Sequence, residues 1–455
     1  MNAAPSHDVV VIGAGLAGLN VATLLEAEGV DVLVLEAQAR IGGRIHSMRQ
    51  LGTNAEAGGS YIGAGYERIK ATAARRGIRL IDVTPALEFF REQDLVLGTE
   101  IIRQVEWPDH PANPFPEGDR NLMPWRYRRA LPMRENPLAS PEEWLDPKHA
   151  VLDISMRDWM QGLGCSDAAI DIGYSRNSTF GDDASDVSAL LLLFRAAFSR
   201  AQRALAPKDT LGYTAENGVE SIPAAMAASL RRPVRMECPV VAIDSGKDAA
   251  IVHCADGSRI RAQRVVFAAP FGVLRGIRID PPLAGLQAEA VNRLRSQAIT
   301  QVYLRPKTPF WELDGYAPSL FTDSLPGMVA AARSGADPSE ITHLTAWVTG
   351  AHATGLDTLS EADAGRRVID AITAIRPAAR GQLEFIGLHS WGGDPWAVGA
   401  WAWFGPGEVT RYARIMGRPH ERIHFCGEHL AVASRGMEAA MESGERASKE
   451  ILLRP

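Results

Sequence analysis

The chain has 455 residues, 46% of them hydrophobic, and a net charge of −6 with no long basic block. Its length exceeds what a single core usually fills, so two domains are expected, and the charge balance argues against nucleic acid or an anionic membrane as partner. Four cysteines with no Cys-x-x-Cys pair or Cys/His ligand spacing exclude a disulfide or zinc framework, so no metal site is expected and a cytoplasmic setting fits.

The N-terminal stretch from Met1 to Asp8 has no basic run followed by an apolar core, so no signal peptide is expected. Asp8 to Ile12 is a β-branched run suited to a buried parallel strand, and it leads into Gly13-Ala14-Gly15-Leu16-Ala17-Gly18. Leu16, Leu19, Ala22 and Leu25 then recur at helical spacing. The order predicts strand, tight turn, helix. Gly13 permits the turn, Gly15 lets the backbone approach a pyrophosphate at the helix N-terminus, and Gly18 lets helix pack on strand. A second strand from Asp31 to Glu36 ends in a carboxylate about 20 residues past the motif, where a ribose hydroxyl needs an acceptor. Gly13, Gly15, Ala17, Gly18 and Glu36 are therefore candidate contacts of a bound dinucleotide.

Two more glycine clusters follow, Arg40-Ile-Gly-Gly-Arg44 and Glu56-Ala-Gly-Gly-Ser-Tyr-Ile-Gly63. Glycines this dense imply close backbone approach to something flat or phosphorylated. A helix is predicted from Glu67 to Arg76. From Trp107 to Pro147 the chain is rich in Pro, Trp and Arg, which predicts an irregular connecting or lid segment with Arg126, Arg128 and Arg129 in solvent. Helical patterning resumes from Met156 to Leu205. Its apolar run Ala189 to Phe194, cut off by Arg195 and Arg200, falls short of the roughly 18 residues of a membrane span and reads as a buried helix.

A β-rich return follows: Val234 to Ile243, Ala250 to Cys254, Ser258 to Arg261 and Arg264 to Ala269, with Asp256-Gly257 as a hairpin turn. A mixed region holds a strand at Ile299 to Leu304 and a helix at Glu361 to Ile375. The C-terminal part is again strand, glycine and helix, Ile423 to His429 and then Gly436 to Leu453. The alternation predicts an α/β fold: a Rossmann-like domain built from discontinuous segments, 1–85, 207–284 and 416–455. An inserted α+β domain comprises 86–206 and 285–415.

The landmarks Gly13 to Gly18 with Glu36, Gly42-Gly43-Arg44, Gly58 to Gly63, Pro309-Phe310-Trp311, Trp391 to Trp401, Phe425 to His429 and Gly436 to Gly444 together resemble the flavin-dependent amine oxidases, the monoamine oxidase and polyamine oxidase family. The resemblance spans essentially the whole chain and implies FAD as cofactor. It implies cofactor contacts at Arg40, Gly43 and Arg44, with the Arg44 guanidinium on the pyrophosphate. Gly58, Gly59 and Ser60 would run along the isoalloxazine edge, with Tyr61 beside them as a catalytic-face residue. Val240 matches an adenine contact, although a core valine reads equally well. Gly427 and Glu428 match the phosphate and ribitol contacts. The helix beginning at Gly436 and Met437 would turn its amides to the flavin N1 and O2. Trp401 is the candidate aromatic ring over the flavin, with Trp391 and Trp396 packing nearby, and Cys426 reads as a small buried thiol.

The implied reaction is hydride transfer from the α-carbon of a small amine to flavin N5, giving an imine that water hydrolyses to an aldehyde or ketone plus ammonia or an amine. Three departures stand out. Ala400 occupies the position of the cysteine that bonds the flavin in monoamine oxidases, so FAD is expected to be noncovalent. Gly436 occupies the second wall of the aromatic cage, leaving an open side. Gln301, eight positions before Pro309, replaces the lysine tied to reaction with oxygen. Lys307 lies roughly 20 Å further along a strand, so O2 or another acceptor stays open. Two alternatives keep the fold: a flavin-dependent desaturase or oxidase of a non-amine substrate, like protoporphyrinogen oxidase, and a non-catalytic binding protein like the GDP dissociation inhibitors. No arginine is assigned to a substrate carboxylate, so monoamine, polyamine, amino acid and alkaloid remain open, as does a homodimer.

Overall fold

The computed structural model describes residues 6–453 apart from 53, 54, 336, 338 and the side chain of Glu88, so the signal-peptide reading falls largely outside the described residues. β1 (Ser6–Ile12), α1 (Leu16–Ala27) and β2 (Val32–Leu35) form the expected strand, turn and helix unit. β1 runs parallel to β2, with Val9 opposite Val32, and parallel to the strand Arg259–Phe267 on its other side. That strand pairs in parallel with Ile423–Phe425 and antiparallel with Ala250–Cys254. Val240–Ser245 and Arg278–Asp280 complete a seven-stranded sheet. Its strands come from three stretches far apart in sequence. Val9, Val10 and Val11 are all buried because both faces of the sheet are covered, which explains the unbroken β-branched run.

One departure is local. The strand expected from Val234 starts at Val240. Glu237 takes a φ of 52° and Pro239 offers no N–H, so residues before Val240 bridge β2 at Leu35 and then turn away.

α1 packs against the C-terminal helix Gly436–Leu452, where Asn20 Nδ2 donates to the Met441 carbonyl at 2.8 Å. A Cβ on Gly444 would lie 2.9 Å from the Ala17 carbonyl, so glycine is what lets the two helices approach. The second large sheet runs in the order Leu383–Ser390, Ile299–Pro306, His343–Thr349, Met328–Ala332, Ser319–Thr322, Gln93–Leu97, Glu100–Ile102. Helix Glu361–Ile375 forms as expected, capped by Ser360, whose Oγ accepts from Asp363 N at 3.2 Å. Pro309-Phe310-Trp311 is a structural clasp: Phe310 is buried beneath the Arg376 guanidinium at 5.0 Å, and Arg376 is held by Asp314.

The segment from 107 to 147 is more ordered than expected. It holds the helix Pro124–Arg134 among short 3₁₀ turns, and Trp107, Phe115, Tyr127 and Trp144 are buried. Phe115 stacks on Tyr127 at 3.9 Å, and Trp144 on Phe194 of helix Ala189–Leu205 at 4.3 Å. Pro124 opens the helix, where its missing N–H costs nothing. Turn-forming residues masked a packed aromatic layer. Arg126 and Arg129 are exposed as expected, whereas Arg128 is half-buried and donates to the Asn177 carbonyl at 2.8 Å. Among the described residues no helix is long and apolar enough to cross a membrane.

A Cβ on Gly18 would sit 2.1 Å from the Gly13 carbonyl oxygen and 3.1 Å from both Val11 and Ala268. Gly18→Val is therefore expected to destabilise the protein by about 1–3 kcal/mol, through overpacking against fixed backbone. The readout is the apparent melting temperature, with Gly118→Ala, where a Cβ meets nothing within 4 Å, as the neutral control.

Candidate active site

The glycine turn opens onto a cavity of about 520 Å³. Gly13, at φ 106°, donates to the Leu35 carbonyl at 2.7 Å and so ties the turn to β2. Gly15 is different: a Cβ there would find no protein atom closer than 3.9 Å, so it guards space on the cavity side. α1 begins at this point with no side-chain cap and no acidic residue in its first turn, so its free N–H groups and positive dipole end remain available to an anion. Ala17 also lines the cavity, whereas Gly18 lies behind it in the helix–strand contact.

Glu36 lies on the cavity wall, with Oε2 accepting from Ala14 N at 2.8 Å and Oε1 from Gln38 N at 2.9 Å. Burial pushes its carboxyl up, and the two amides only partly oppose that. Arg40 does not reach the cavity. It donates to the Ile45 carbonyl at 3.3 Å and lies 3.8 Å from Asp394, supporting the loop from behind. Gly43 lines the cavity with its Cα side against Gly15, which brings the two glycine loops together.

Arg44 and Glu428 meet across the cavity wall, with Nη1 to Oε1 at 3.2 Å. Arg44 also donates to the Ala400 carbonyl at 3.0 Å, and Ala402 N donates to Glu428 Oε1 at 2.8 Å. Burial acts to raise the Glu428 carboxyl, but Arg44, Arg435 and His429 hold it below the usual carboxylate range. Its Oε2 is buried without a hydrogen-bond partner. An ionised carboxylate with one orphaned oxygen on a cavity wall suits a hydroxyl donor there. Gly427, at φ 146°, keeps clear of the His429 ring, which a Cβ would meet at 2.6 Å.

The C-terminal helix turns its N-terminus, Gly436 and Met437, to the same cavity, so two helix N-termini converge on it. Val240 lines it beside Pro270, Val273 and Ile277, an apolar patch for a flat ring. Gly58, Gly59 and Ser60 line it too, but Gly58 is glycine chiefly for the protein's sake. A Cβ there would lie 2.1 Å from the Arg44 carbonyl and 2.7 Å from the Trp391 ring. Trp391 is buried and donates to the Ala57 carbonyl at 2.8 Å, as packing residues do. Cys426 is buried, and burial pushes its thiol up to about 12, which leaves it unreactive.

A second cavity, of about 660 Å³, adjoins the first and shares Ser60, Tyr61, Arg195, Gln301 and Trp401 with it. Trp401 Nε1 donates to the Thr179 carbonyl at 3.2 Å, and its ring meets Phe180 edge-on at 6.2 Å. Gln301 is buried, with Nε2 donating to the Ala57 carbonyl at 2.9 Å and Oε1 accepting from the Tyr303 hydroxyl at 2.5 Å. Lys307 borders neither cavity and bonds the Gly381 carbonyl at 3.1 Å. Tyr61 faces both cavities, and 44% of its surface is exposed.

The expected open side at Gly436 is partly filled. A Cβ on Gly436 would lie 3.4 Å from the Tyr66 hydroxyl, and Tyr66 lines the first cavity. Sequence reasoning missed Tyr66. Its signal was the spacing from Gly63, where a Cβ would strike the Tyr66 ring at 2.4 Å, so one glycine makes room for the aromatic. Arg195 was read only as a break in an apolar run, yet it lies where the cavities join.

Glycines beside open space, uncapped helix N-termini, an orphaned carboxylate oxygen and an apolar patch form a donor and acceptor set that fits FAD. The family described as flavin containing amine oxidoreductase matches residues 16–452. Amine oxidase [flavin-containing] B of Homo sapiens is 26% identical over 466 residues, covering 98% of this chain and 86% of its own length. The Cavia porcellus protein of the same name is 27% identical, with 98% and 86% covered. Among solved structures, putrescine oxidase bound to putrescine aligns with a TM-score of 0.76 at 23% identity, covering 99% of this chain and 100% of that one. Cyclohexylamine oxidase from Brevibacterium oxydans aligns with a TM-score of 0.76 at 21% identity, covering 98% and 99%. The chain belongs to the flavin-containing amine oxidoreductases and is an FAD-dependent amine oxidase.

Proposed function

We propose that the enzyme oxidises an amine held in the second cavity, where that cavity adjoins the first at Trp401 and Gln301. The observation that carries this reading is the shared wall: the rings of Trp401, Trp347 and Tyr61 and the buried Gln301 amide border both chambers. When bound, FAD supplies the acceptor for the hydride leaving the α-carbon, and water then hydrolyses the imine to an aldehyde or ketone plus ammonia or an amine. The protein's own residues orient and desolvate. Trp401 presents an aromatic face that attracts an amine, and the water-poor surroundings favour its uncharged form, which is the form that can lose a hydride. Domain roles follow from this assignment: 1–85, 207–284 and 416–455 bind FAD, while 86–206 and 285–415 form the substrate chamber. Four free thiols, three of them buried, suit a reducing cytoplasmic setting.

Trp401→Ala is expected to lower kcat/KM roughly tenfold while FAD content falls little. Equal loss of both would make Trp401 a packing residue. Ala400 carries no sulfur, so acid precipitation should release all yellow colour into the supernatant; colour retained in the pellet would overturn a noncovalent site. Gln301 has its carbonyl and one amide hydrogen committed to Tyr303 and Ala57 and no ammonium to offer, so reoxidation by O2 should be slow and a quinone should accelerate turnover. Stopped-flow reoxidation by air at ordinary oxidase speed would refute this.

A further inference from the structure

The second cavity is lined by an excess of cations that the amine-oxidation reading does not use. Arg128, Arg129, Arg195 and Arg333 all face it. Arg333 is held by Glu92, and Arg128 donates to the backbone carbonyls of Asn177 and Arg176. Arg129 and Arg195 differ: each lies over a ring, Phe90 at 5.6 Å and Phe180 at 5.4 Å respectively. Neither has a carboxylate partner among the described residues. Arg129 is exposed, and burial with Arg129 and Arg435 nearby pushes the half-buried Arg195 down to about 10, still charged at neutral pH.

The acidic groups on the same wall do not neutralise them. Glu56 accepts from Ser47 Oγ at 2.7 Å and from Val219 N at 2.9 Å, and burial raises it to about 7. Asp82 is exposed and accepts from Thr84 N at 2.8 Å, and Glu216 is exposed and paired with Arg79 at 3.0 Å. His343 is pushed down to about 4 by burial and is neutral at pH 7.

We infer that this chamber receives a carboxylate on Arg195 and Arg129, so that the substrate is a carboxylate-bearing amine such as an amino acid; this rests on the amine-oxidation reading above. A half-buried guanidinium without a counter-ion, as at Arg195, is unfavourable unless an anion completes it. A planar fork of donors matches a carboxylate in a way an ammonium does not. Arg195 is placed for it: its guanidinium and the Trp401 ring both pack on Phe180, at 5.4 and 6.2 Å, and both border the second cavity. The same charges repel a diamine.

The test uses the yellow holoenzyme and two matched probes, benzoate and benzamide, titrated by flavin absorbance and by apparent melting temperature. Benzoate should bind about tenfold or more tightly than benzamide, and Arg195→Gln should remove that preference while Arg195→Lys restores part of it. Should Arg195→Gln fail to fold, Arg129→Gln reads the same preference. Anaerobic mixing should show phenylalanine bleaching the flavin at lower concentration than phenethylamine. Equal binding of benzoate and benzamide, or preferential bleaching by phenethylamine, would overturn the anion site and leave amine oxidation intact. Benzoate preference with no bleaching by any amine would leave the anion site and remove the amine-oxidation reading.

Discussion

A single buried carboxylate holds the separated parts of this chain to one another. Glu428, from the C-terminal stretch, takes a guanidinium from Arg44 near the N-terminus and a backbone N–H from Ala402, 26 residues before it, with Arg435 4.0 Å from its other oxygen. Arg44 in turn fixes the Ala400 carbonyl, one residue before Trp401. A buried ion pair of this kind adds little net stability against an apolar alternative, but losing one partner strands the other charge. Its contribution is registration: the residue beside the flavin pocket and the residue before the substrate-facing tryptophan are tied to one carboxylate.

Around that anchor the site is organised by backbone more than by side chains. Two helices, Leu16–Ala27 and Gly436–Leu452, lie against each other and direct their N-termini at one cavity. Gly18 and Gly444 make that arrangement possible, because each is glycine at a place where helix meets carbonyl oxygen. Gly15 serves the cavity instead, since no protein atom crowds it. The distinction separates glycines of packing from glycines of binding, and Gly58 belongs with the first group although its motif suggested the second. An uncapped helix start costs little when an anionic ligand supplies the missing partner.

The second cavity has another character. Its wall mixes aromatics with arginines, three of them from two helices, Pro124–Arg134 and Ala189–Leu205, and Arg333 from just after the strand Met328–Ala332. The Pro, Trp and Arg residues of 107–147 suggested a solvated loop because local propensity reports turns, not what the turns pack against. In the fold, Trp107, Phe115, Tyr127 and Trp144 form a buried layer, and the helix carrying Arg128 and Arg129 is pressed to the chamber by it. At Gly436 the sequence shows a missing ring, and Tyr66, 370 positions earlier, stands near the gap.

The sequence by itself determined the nucleotide-binding half: β1, the glycine turn, α1 and Glu36 are local, and their chemistry depends on spacing that the chain order already contains. It also determined the absence of a cysteine at Ala400 and of a lysine at Gln301, because a missing functional group is visible in one letter. Only the tertiary structure decided which glycines face open space, which oxygen of Glu428 is left without a donor, and which arginines lack a counter-ion. Those are properties of the distances between segments remote in sequence, and burial and charge pairing arise only when such segments meet.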